Sequence, residues 1–115
     1  MMSTAPPLQI SREQAGRLLK YMQEYRRYAL TSISPTQERN TTLRLVQAVQ
    51  GKLLALVDQT LPQVHLSLTK EEVHALKAMT KGLLLLYGEK PDSSERTRTI
   101  TDVGRLYTYL KQTYG

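Results

Sequence analysis

Apolar residues recur at helical spacing through most of the chain. The strongest run is Thr69 to Tyr87, where Val73, Leu76, Met79, Thr80, Leu83, Leu86 and Tyr87 fall on one broad face at about 100° per residue. Thr69 and Glu72 have the spacing of a reciprocal capping box, and Leu68 and Val73 that of a hydrophobic staple across the same turn. Leu84 and Leu85 lie outside the main face, and Leu85 lines up with the small residues Ala78 and Gly82. A helix apolar on two sides near its end is expected at the centre of a bundle or against a second subunit.

Three further segments carry the same period. The first begins at Ser11, with Gln14 at the reciprocal capping position, and its stripe is Ala15, Leu18, Leu19, Met22, Tyr25, Ala29 and Leu30. Arg26 projects from that stripe, so its stem lies along the core edge with the guanidinium in water, or it meets an acid from another helix. The second is expected to start at Ser34 with Pro35 as first helical residue, and to run to about Thr60, before Pro62. Leu45, Val46, Val49, Leu53, Leu56 and Val57 make its buried face, with Arg44, Gly51 and Asp58 pointing away. The last shows a face of Ile100, Val103, Leu106, Tyr107, Leu110 and Tyr114, with a ragged start before Arg98 and two alternative capping pairs, Asp92 with Glu95 or Thr99 with Asp102.

Between the second and third helices, residues 62–68 alternate Val64, Leu66 and Leu68 with polar residues, which suits an extended connector over one bundle end. A sheet strand there would need a partner, and none is evident in the sequence. Residues 1–10, with Pro6 and Pro7, are expected as a flexible tail, and 11–115 as a single domain. The fold class that follows is all-α, an antiparallel four-helix bundle with a short extended connector between helices 2 and 3.

Composition narrows this reading slightly. At 115 residues with 40% apolar content, one domain buries a real core without staples, and the absence of Phe and Trp weakens a sheet reading. The absence of cysteine excludes disulfides, cysteine nucleophiles and thiolate metal sites. With no run of 18 apolar residues and no signal-peptide pattern at the N-terminus, the expectation is a cytoplasmic protein with no membrane partner. The net charge is +6, and half of it falls on residues 11–30.

Candidate chemistry is sparse. Glu71 and His74 have the Glu-x-x-His spacing of carboxylate-bridged metal bundles, but there is no second copy and both project away from the expected core. His65 with Ser67 lacks a nucleophile elbow, and Lys52 beside Gly51 lies in no phosphate-cradling loop. The expectation is therefore no enzyme, no cofactor and no metal.

Two binding surfaces remain. Tyr21, Tyr25 and Tyr28 form an offset aromatic band, which together with Ala78, Gly82, Leu84 and Leu85 makes a candidate protein interface, for a homo-oligomer or another protein. Lys70, His74, Lys77 and Lys81 form a cationic row that, with Arg17, Lys20 and Arg27, is a candidate contact for nucleic-acid phosphates. The functional expectation is a non-enzymatic interaction or assembly protein presenting a rigid helical surface. The alternative is a basic nucleic-acid-binding accessory protein without sequence-specific recognition.

Overall fold

The computed structural model describes residues 7–59 and 61–114. Its elements in chain order are β1 (Leu8–Ser11), α1 (Arg12–Ser32), α2 (Gln37–Val57), β2 (Gln63–Leu66), α3 (Lys70–Gly88) and α4 (Ser94–Tyr114). The fold is an all-α four-helix bundle with a small two-stranded sheet. Among the described residues no helix is long and apolar enough to cross a membrane.

α3 starts where its capping box requires. Thr69 Oγ1 accepts from the Glu72 amide at 3.1 Å, and Glu72 Oε1 accepts from the Thr69 amide at 2.8 Å. Leu68 and Val73 are both buried, as the staple demands. Along α3, Val73, Ala75, Leu76, Met79, Leu83 and Tyr87 are buried, and α3 is the one helix that packs on all three others. α1 is capped in the same way by Ser11 and Gln14.

The short linkers, residues 33–36 and 89–93, fold α1 on α2 and α4 on α3 as helical hairpins. α1 also reaches α3, but none of its Cα atoms comes within 8 Å of one in α4. Helices α1, α2 and α3 thus pack on one another, α4 packs on α3, and side chains bridge the seam between α1 and α4.

The close approach of α1 to α3 depends on Gly82. An ideal Cβ there lies 2.8 Å from Cε1 of the buried Tyr25 ring, whereas Gly51 on α2 has nothing within 4 Å. Gly82→Ala is therefore expected to cost about 1–2 kcal/mol, the overlap outweighing the helix-propensity gain. Gly51→Ala, with open space, is expected to gain about 0.5–1 kcal/mol. Urea unfolding of both variants decides it, and an equal gain at both sites would contradict the close approach.

The largest difference from expectation lies in the stretch before α1 and the connector between α2 and α3. Residues 62–68 do have a strand partner: β1 pairs antiparallel with β2, Leu8 opposite Leu66 and Ile10 opposite Val64. The Arg12 amide extends the ladder by donating to the Pro62 carbonyl at 3.1 Å. Of the expected flexible tail, residues 1–6 lie outside the described residues, while Leu8 to Ile10 form the strand. The reason is burial. Leu8 is 0% exposed, and it joins Val64 and Leu66 in closing one end of the core.

Two helix caps also differ from expectation. α2 is capped by Thr36, not Ser34, with Thr36 Oγ1 accepting from the Arg39 amide. Starting there lets the Arg39 guanidinium donate to the Ala29 and Ile33 carbonyls, so one residue closes α1 and opens α2. α2 ends at Val57, short of Thr60, which is outside the described residues. α4 begins at Ser94, before Arg98 as expected, and the side chain that accepts the Arg96 amide is Ser93, not Asp92 or Thr99.

Candidate interaction surface

Most buried polar chemistry fastens one helix to the next. Across the α1–α4 seam, Asp102 Oδ2 accepts from Arg17 Nε at 2.8 Å and from the Tyr21 hydroxyl at 2.7 Å. Burial, with the carboxylate beside it, pushes the Tyr21 hydroxyl well above its ordinary pKa, so it stays a donor. The Asp102 hydrogen bond likewise raises the Arg17 guanidinium. Between α1 and α3 the Tyr87 hydroxyl donates to Glu24, and burial together with that carboxylate raises the Tyr87 pKa to about 12. Arg96 donates to the Tyr87 carbonyl at 2.9 Å.

Between α2 and α3, Lys52 Nζ reaches Glu72 Oε1 at 2.6 Å and the Ser67 carbonyl at 3.2 Å. Burial alone would raise the Glu72 pKa, but Lys52 and the Thr69 amide outweigh it and hold it below 4.5. A depressed folded-state pKa means that the stabilisation is complete above the unfolded value and is lost as pH falls through the folded one. Wild type is expected to lose stability as pH falls below about 4.5 more steeply than Glu72→Gln. Parallel acid limbs in urea titrations of the two proteins would contradict that linkage.

The aromatic band predicted for an interface is mostly internal. Tyr21 and Tyr25 are 7% and 4% exposed, and Tyr28 is half-buried. The helix that fits over Gly82 is α1 of the same chain, through the Tyr25 and Tyr28 rings. Ala78 and Leu84 are half-buried, the latter against the core. Leu85 alone stands out, 65% exposed. The two-sided apolarity of α3 is thus largely met within one chain, because α1 crosses close enough to cover it.

The cationic set is divided. Arg17 is held by Asp102 and Glu13, at 2.8 and 3.2 Å. Lys20 and Arg27 are exposed on the outer side of α1. On α3, Lys70, His74 and Lys81 are exposed and Lys77 is half-buried, and Lys81 Nζ lies 5.7 Å from the Tyr107 ring centroid, so this row borders α4. Glu71 also faces solvent, and His65 and Ser67 are exposed on the connector.

A different feature emerges on the outer face of the α1–α2 hairpin. There a groove of about 220 Å³ has Met22, Leu43 and Val46 in its floor and Arg26, Arg44 and Leu30 among its walls. Met22 and Val46 belong to the core, and Leu30 is 52% exposed. Neither arginine has a hydrogen bond or ion pair among the described residues, and no acidic side chain lines the groove. Arg26 therefore takes the water-facing option, with its stem along the edge of the core. The pairing with Arg44 escaped sequence reading because it depends on the hairpin register, which sets residue 26 beside residue 44. A second groove, about 280 Å³ and lying between α1, β1 and α4, has the Arg17, Tyr21 and Asp102 cluster in its wall.

Comparison with protein-family models, with curated proteins and with solved structures finds no match to this chain.

Proposed function

We propose that this chain is a non-enzymatic interaction protein that presents the rigid α1–α2 face to a protein partner, with no bond-making step. The observation that carries the reading is the contrast between paired and unpaired charge. Asp102, Glu24 and Glu72 each hold a donor from a neighbouring helix, so they fix the scaffold. Among the described residues Arg26 and Arg44 hold no partner, and they stand beside apolar lining residues. Arginine beside exposed aliphatic surface is the composition of a protein contact.

A different protein suits this face better than a second copy. A twofold contact through the groove would set arginines against arginines, and like charges brought together oppose association. The homo-oligomer expected from the sequence also drew on Tyr21 and Tyr25, whose rings the chain itself covers. The cytoplasm remains the proposed compartment.

Nucleic-acid binding stands as the second reading, favoured by the exposed Lys20, Arg27, Lys70, His74 and Lys81. Immobilised wild type and the double variant R26E/R44E, exposed to nuclease-treated extract, separate the two. A protein retained by wild type, resistant to nuclease and lost from the double variant is the expected result. Retention that disappears with nuclease, or that ignores the double variant, would move the function to the lysine-rich surfaces.

A further inference from the structure

We infer that the α1–α2 groove receives one face of an acidic amphipathic helix from its partner. The inference rests on the protein-interaction reading above and gives the chemical class of that partner. Aliphatic side chains of the incoming helix would lie on Leu30 and Leu43, and flanking carboxylates would meet Arg26 and Arg44.

Charge is the first argument. Two guanidinium groups beside one groove, without an acid in its lining or an ion pair of their own among the described residues, leave a positive potential that a carboxylate-bearing partner neutralises. The guanidinium fork pairs with a carboxylate through two parallel hydrogen bonds. The remaining polar lining is neutral: Asn40, Gln47 and Gln50 bring amides that tolerate an acidic neighbour.

Shape is the second. The groove lies between two packed helices, and its lining runs over residues 22–30 of α1 and 40–50 of α2, about 12–15 Å at 1.5 Å per residue. A furrow along a helical hairpin admits a third helix, whose contacts fall at i, i+3 or i+4, and i+7. Such a helix also covers Leu30, the exposed apolar residue at the groove wall.

The lining also favours protein over nucleic acid. Among the described residues no tyrosine or histidine lines this groove, so bases have no aromatic platform there, and phosphates leave Leu30 and Leu43 uncovered. The lysines of α1 and α3 lie outside the groove lining.

The test uses the whole chain and a fluorescein-labelled synthetic helix of about five turns. Leucines in its sequence recur at i, i+3, i+4 and i+7, with glutamates flanking them. Fluorescence anisotropy is read for this peptide, for a scramble of the same composition and for a version with lysine in place of glutamate. A labelled single-stranded oligonucleotide serves as the fourth probe. Wild type is expected to bind the patterned acidic helix at least about tenfold more tightly than R26E/R44E, a difference of ~1.4 kcal/mol. The control R98E/K111E, on exposed positions of α4, is expected to bind like wild type, and far-ultraviolet circular dichroism confirms that each variant is folded.

Binding that is equal for the scramble, or unchanged in R26E/R44E, would overturn the inference. So would an oligonucleotide that competes the acidic helix away through the same two arginines. If no acidic helix binds while nuclease-resistant capture still depends on Arg26 and Arg44, the partner class falls and the interaction reading stands. If both are lost, both fall.

Discussion

Leu8→Ala is expected to destabilise the protein by about 2–4 kcal/mol, although the residue belongs to a stretch whose sequence reads as a tail. Leu8 is 0% exposed and pairs with Leu66, itself fully buried, where the sheet closes the core. Removing the isobutyl group forfeits its transfer free energy and leaves a cavity between the sheet and the helices. The total stability of a small domain is of order 5–15 kcal/mol, so the change should be plain as a lower urea midpoint at unchanged slope. Gln9→Ala, on the exposed face of the same strand, is the control and should lie within about 0.5 kcal/mol of wild type. If Leu8→Ala also lies there, β1 is not part of the folded unit.

Asp102→Ala is the second large loss, about 2–3 kcal/mol. Its carboxylate holds both Arg17 and Tyr21 across the α1–α4 seam, where the helix backbones do not touch. Without it the nearly buried Tyr21 hydroxyl has no acceptor, which costs about 1–3 kcal/mol. The Arg17 share is smaller, because that side chain is 37% exposed and keeps Glu13. Tyr21→Phe removes the orphaned donor, so adding it to Asp102→Ala should cost less than adding it to wild type. A double-mutant cycle measures that coupling, and strict additivity of the two changes would show that the pair does not fasten α1 to α4.

Legibility followed the range of the interactions. The Ser11–Gln14 and Thr69–Glu72 boxes act across three residues, and both helices start where the sequence places them. The Leu68–Val73 staple is equally local. The sequence favours Ser34 with Pro35, whereas the contact that decides for Thr36 is tertiary: Arg39 turns back onto the last carbonyls of α1. β1 was hidden because LQIS is four residues long, and its partner lies more than fifty residues away.

The candidate site was visible only in part. Arg26 was conspicuous as a charge in an apolar stripe, but Arg44 was one more outward-facing residue of α2. Their placement on one groove comes from the hairpin register, and the lack of an acid beside them comes from the packing of the whole molecule. The tyrosines misled for the reverse reason. Tyr21 lies off the apolar stripe by helical spacing and Tyr25 on it, and Asp102 and Gly82, distant in sequence, receive both inside the chain.

The most direct test of the interaction reading is amide hydrogen exchange of the chain alone and with the protein it retains from nuclease-treated extract. The account predicts added protection, or slowed side-chain exchange at the arginines, concentrated on residues 22–30 and 40–50, which carry the groove. Protection confined to α4 or to the lysine row of α3, with those two segments unchanged, would contradict it.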